Sequence, residues 1–175
     1  FQKASVHPRP PPSLRQQAAR RPRRPAMVTL ATFMLVSRDD IPQYECDFGS
    51  QGGQTTSGNP SGKKDDAAHL HQFVMHASLD FLDERCWETP SMNLKLVDRF
   101  NDLSVYGFCT AGGTRFLLLV KDNSSHLSES VKSFFHEVHE FYLRVQMNPF
   151  HTTQTPILDK TFDKRVKELG WRHFP

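Results

Sequence analysis

Residues 65–86, DDAAHLHQFVMHASLDFLDERC, read as one helix with apolar residues on two opposite sides. Leu70, Phe73, Val74, Ala77 and Phe81 follow the i, i+3, i+4, i+7 rule and make one stripe. Ala68, Met75, Leu79, Leu82 and Cys86 follow the same rule about half a turn away. A surface helix on a small domain needs only one such stripe to cover its own core. The other must be buried by a further layer of the chain or by another protein. Met75, Leu79 and Leu82 are expected to form the uncovered stripe, with Asp80 and Asp83 as an acidic rim. An acid bordering an apolar strip suits the edge of an interface.

The remaining pattern supplies one domain. The 175 residues suit a single domain with a tail, and 14 Phe side chains furnish much of its core. The net charge of +3 is misleading. Residues 1–26 carry Lys3, Arg9, Arg15, Arg20, Arg21, Arg23 and Arg24 and no acid, which leaves 15 basic and 19 acidic side chains in the rest, a net of −4. The basic character therefore belongs to the tail, and no nucleic-acid partner is expected for the folded part. With prolines such as Pro10, Pro11 and Pro12, residues 1–26 are expected to be an unpacked extension or an artefact of gene modelling ahead of Met27. Residues 27–175 form the expected domain. Cys46, Cys86 and Cys109 are odd in number and widely spaced, which argues for reduced thiols rather than a disulfide framework. Met27–Val36 is too short to span a membrane, and its removal as a leader would take away a core strand.

Strands are expected at Val28–Ser37, Tyr44–Phe48, Leu94–Phe100, Leu103–Thr110 and Thr114–Lys121. The linkers Asn101-Asp102 and Ala111-Gly112-Gly113 have hairpin length. Phe116–Val120 is continuously apolar, as a central strand covered on both faces would be. Gly49–Gly62 reads as a flexible connector. Two further helices follow. Ser128–Met147 puts Val131, Phe134, Phe135, Val138, Phe141, Tyr142 and Val145 on one face and Lys132, Glu137, Glu140 and Arg144 on the other, with His136 and His139 read as part of a solvated face. A short helix at Phe162–Leu169 has Asp159 or Thr161 as its cap and Gly170 at its end. The order is β-β-α-β-β-β-α-α, an α+β sheet with the first helix on one face and the other two on the opposite face.

Chemical motifs fall short. Gly53–Lys64 lacks the G-x-x-x-x-G-K-[ST] spacing of a phosphate loop, since Asn59 follows Gly58. His136-Glu137-x-His139 has the wrong spacing for a zinc helix, and His69, His71 and His76 are read as divergent. No G-x-S-x-G elbow occurs. No catalytic residue, metal site or cofactor is expected. A hydrolase or nucleotide-binding protein would need a convergent set of such groups.

The first helix also resembles the sedlin family, whose pattern there is D-D-x-x-H-L-x-Q-F-x-x-H-x-x-L-D-x-x-D-E. Asp65-Asp66, His69-Leu70, Gln72-Phe73, His76, Leu79-Asp80 and Asp83-Glu84 match each fixed position. Residues 93–119, Met147-Asn148-Pro149-Phe150, Thr155-Pro156-Ile157, Phe162-Asp163 and Leu169-Gly170 are similar too. The resemblance covers about residues 31–173, while the tail and the long Gly-rich loop depart from it. It implies a longin-like fold with five strands between helices. It also implies a non-enzymatic subunit of the TRAPP vesicle-tethering complex, cytoplasmic and peripheral at endoplasmic reticulum and cis-Golgi membranes. The partners would be other TRAPP subunits and, through the assembly, a Rab-family GTPase. Asp80 corresponds to a family position linked to partner contact. Within the same fold, a coat-adaptor subunit would lack the helix pattern. A SNARE-type longin domain would continue into a heptad coil and membrane anchor, which residues up to Pro175 do not show.

Overall fold

The structure is a computed structural model that describes residues 31–48, 62–121, 127–152 and 154–174, with side chains in the first helix described from residue 69 onward. The extension 1–26, most of the Gly-rich loop and the side chain of Ala68 lie outside the described residues. The elements are β1 (Ala31–Val36), β2 (Pro42–Asp47), α1 (Gly62–Glu88), β3 (Asn93–Phe100), β4 (Leu103–Cys109), β5 (Arg115–Val120), α2 (Leu127–Gln146) and α3 (Lys160–His173). The expected order is therefore present. The first helix begins at Gly62, three residues before the expected Asp65, so the end of the Gly-rich segment is already helical.

The strands form one antiparallel sheet in the order β2-β1-β5-β4-β3, with β5 in the middle. Alternation along a strand sends successive side chains to opposite faces. In β1, Phe33 and Leu35 point to one face and Met34 and Val36 to the other. In β5, Phe116 and Leu118 divide from Leu117 and Leu119 in the same way. All these residues are buried, so both faces are covered.

The two layers differ in chemistry. Under α2 and α3 the sheet packs aromatic rings, with Phe33 against Phe134 at 5.3 Å and Phe108 against Phe116 and Phe135 at 5.4 and 5.7 Å. Such offset and edge contacts add about 0.5–1.5 kcal/mol per pair beyond burial. Under α1 the layer is aliphatic, built from Met34, Val36, Leu94, Val97, Leu117 and Leu119. Gly107 lets α1 come close on that side, because a Cβ there would lie 2.5 Å from Val97 Cγ2 and 2.9 Å from Leu82 Cδ1.

Two details of α2 and α3 differ from the sequence reading. His139 is half-buried and lies against the rings of Phe108 and Phe116, so it is not on a solvated face. Burial, then the neighbouring His136, lowers its pKa. Gly170 does not end α3, which continues to His173 after its Asp159 cap. Glycine is needed there for space: a Cβ would sit 2.2 Å from the Phe48 ring. The extra turn also carries Phe174 into the core against Phe48 and Phe134.

At its other end α3 is clamped to β2. The Tyr44 hydroxyl donates to Asp163 Oδ1 at 2.9 Å, and Lys167 Nζ donates to Asp163 Oδ2 at 2.8 Å. Burial works against the Asp163 charge, yet the bonds from Lys167 and Tyr44 outweigh it and hold its pKa below the ordinary carboxylate value.

Two outcomes are expected. Gly170→Ala should lower the free energy of unfolding by about 1–2 kcal/mol in urea titrations, because overpacking against Phe48 outweighs the helix propensity gained. Asp163 has a depressed folded pKa, so its contribution is present above the unfolded value of 3.8 and lost as pH falls through the folded one. The gap in melting temperature between wild type and Asp163→Asn should therefore be full at neutral pH and shrink in acid below that value.

Candidate docking surface on the first helix

Helix α1 spans 27 residues and carries the two apolar stripes on opposite sides. The sheet takes Met75, Leu79 and Leu82, which are 0%, 8% and 0% exposed. These three residues, expected to be the uncovered stripe, are instead the core of the α1 layer, together with Val74 and the half-buried Cys86. The aliphatic sheet face and the space left by Gly107 accept slender aliphatic chains. Ser78 lies in the same interior and is satisfied by donating to the Val74 carbonyl at 2.7 Å.

The stripe left outside is the other one, except for Val74, expected in it but buried against the sheet. Phe73, Phe81 and Leu70 are 69%, 50% and 42% exposed, and Ala77 between them is exposed as well. Asp80 follows Phe73 by seven positions, so it borders this stripe along its Phe73 edge. Glu84, His69 and His76 share the side and are exposed. His69 and His76 share this side two turns apart along the helix, while His71 lies on another side, so the three do not converge on one point. Among the described residues no cluster of three or more His, Cys, Asp or Glu side chains could hold a metal ion. Trp87, 92% exposed, continues the same side at the helix end and was passed over in the sequence. Its spacing of seven from Asp80 is the signal that could have found it.

Three polar contacts hold the helix in place. Gln72 Nε2 donates to both Glu45 carboxylate oxygens at 3.3 Å. Arg85 Nη1 donates to the Leu96 carbonyl at 2.9 Å. Asp83 pairs with Arg115 Nε at 2.8 Å, and Arg115 also pairs with Asp40. Asp83, expected as part of the rim, thus ties α1 to β5, while Asp80 is exposed. The helix end also brings Cys86 beside Cys109, both free thiols. Burial and then the Cys109 thiol push Cys86 up to about 12, which leaves it a poor nucleophile at neutral pH.

The arrangement is a rigid helix with an outward apolar face interrupted by acids. Among the described residues no helix is long and apolar enough to cross a membrane.

Comparison with known proteins agrees with the resemblance in the helix pattern. The family model described as Sedlin matches residues 35–172. The chain is 38% identical to a probable trafficking protein particle complex subunit 2 of Drosophila melanogaster, over 81% of this chain and 94% of that protein. It is 30% identical to the transport protein particle 20 kDa subunit of Schizosaccharomyces pombe, over 79% of this chain and 95% of that protein. A probable trafficking protein particle complex subunit 2 of Caenorhabditis elegans is 32% identical, over 81% and 94% respectively. With most of its length matched, and the helix pattern folded into a five-stranded sheet with three helices, the chain belongs to the sedlin family.

Proposed function

We propose that this chain is a non-enzymatic subunit of a trafficking protein particle complex and acts as a scaffold in vesicle transport. It would work peripherally at endoplasmic reticulum and cis-Golgi membranes and meet a Rab-family GTPase only through the assembled complex. The observation that carries the reading is the exposed stripe Leu70–Phe73–Ala77–Phe81 on a helix whose opposite stripe is already buried. The names of the relatives support assembly with other subunits.

The physical argument runs through hot-spot chemistry. A few anchors carry most of an interface's energy, and an aromatic ring held on a rigid element loses little entropy on docking. Phe73 and Phe81 are such rings, and the contacts from Gln72, Asp83 and Arg85 hold the helix beneath them. Asp80, Glu84 and the paired Asp83 give the face an acidic character, which calls for a partner surface that is apolar with basic residues around it.

Phe73→Asp should weaken co-purification with the other subunits by at least about tenfold while changing the melting temperature by no more than a few degrees. Asp80→Lys should weaken assembly with the fold intact, most visibly at low salt. Leu82→Asp should behave differently, because a buried unpaired charge unfolds the α1 layer. Wild-type recovery of all subunits with Phe73→Asp and Asp80→Lys together would sink the assignment of this face.

A further inference from the structure

On the opposite side of the sheet from α1, the end of α2, the start of α3 and their connection enclose a cleft of about 470 Å³. Its apolar lining includes Phe141, Ile157 and Phe162, and its cationic lining comprises Arg144 and Arg165. Both guanidiniums rest against the Phe141 ring, at 5.3 and 6.0 Å from its centroid. Arg144 makes no ion pair among the described residues, and Arg165 reaches only Glu168, loosely at 3.8 Å. Lys160 and Lys164 add positive charge on the exposed start of α3.

Two further residues complete the lining. His151 lines the cleft, and its Nε2 is buried with no hydrogen-bond partner among the described residues. Asp159, the one carboxylate among the lining residues, is already accepting the Thr161 N–H at 2.8 Å as the cap of α3. The walls are held before anything binds. The Ile157 N–H donates to the Gln43 carbonyl at 2.8 Å, and the His151 N–H donates to the Asn148 carbonyl at 3.0 Å. The volume falls within the range of ligand-binding clefts.

We propose that this cleft is a second docking site, which takes an acidic peptide segment of a partner protein with one apolar side chain as anchor. An arginine stacked on an aromatic ring keeps its planar N–H edge free for a carboxylate, with which it can form two parallel hydrogen bonds. The apolar floor of Phe141, Ile157 and Phe162 receives the anchor. A phosphate group alone would use the arginines and leave the floor empty, which is why a peptide is favoured. With α1 on the other face, the chain would join two neighbours across its sheet. This inference does not depend on which proteins dock on α1.

The test is fluorescence anisotropy on the full chain with an array of terminally blocked peptides. Each peptide carries one Leu, Ile or Phe flanked by Asp or Glu at varied spacing. At least one peptide should bind, and its Asn/Gln counterpart should bind at least about tenfold more weakly. Arg144→Glu with Arg165→Glu should reduce binding by a similar factor, with Arg144→Gln and Arg165→Gln as the milder pair. Phe73→Asp should leave peptide binding unchanged. Failure of every peptide, equal binding by the neutral peptides, or unchanged binding by both arginine pairs overturns the proposal. Binding of inositol hexakisphosphate that needs the arginines, where no peptide binds, reassigns the cleft to phosphate.

Discussion

Burial of both faces of β1 and β5 is the constraint on which everything else depends. Each strand alternates large side chains between two layers, and each layer needs its own cover. The aromatic layer receives two helices and the aliphatic layer one. A single helix with one stripe against an aliphatic sheet must turn its other side to solvent. The sedlin helix pattern puts large apolar residues on that other side, so the exposed surface follows from the layering of the fold.

The face so exposed is held by the structure behind it. Leu82 fits over Gly107, and polar links to Glu45, Leu96 and Arg115 hold α1 along its described length. A surface of this kind meets a partner without first paying to be ordered, so its phenylalanines can contribute close to their full burial energy. Glu84 within the stripe and Asp80 at its edge restrict which partners fit, since an uncompensated carboxylate is costly once water is excluded. A protein built in this way functions through what it holds together.

Much of the fold was legible because it rests on local periodicity. The order of elements, the doubly buried β5, the apolar face of α2 and the Asp159 cap each follow from residues near in sequence. The misreadings concern residues whose role is set by distant neighbours. Gly170 looks like a helix end, yet it is a glycine because Phe48, far away in the chain, occupies the space of a side chain. His139 looks solvated, yet rings from β4 and β5 lie against it. Trp87 carries only a spacing signal, which a reading centred on the stripes overlooks.

The sequence by itself determined that α1 has two apolar sides and that one of them must be covered by something beyond the helix. Periodicity records which residues share a side, and the family pattern records that the arrangement is a shared one. Only the tertiary structure decided which side faces inward. The choice depends on the shape of the sheet beneath the helix. An aliphatic surface with an opening over Gly107 accepts Met75, Leu79 and Leu82, which leaves Phe73, Phe81 and Asp80 to face outward. Shape complementarity between elements distant in the chain is a property of close packing, and no pattern within one helix contains it.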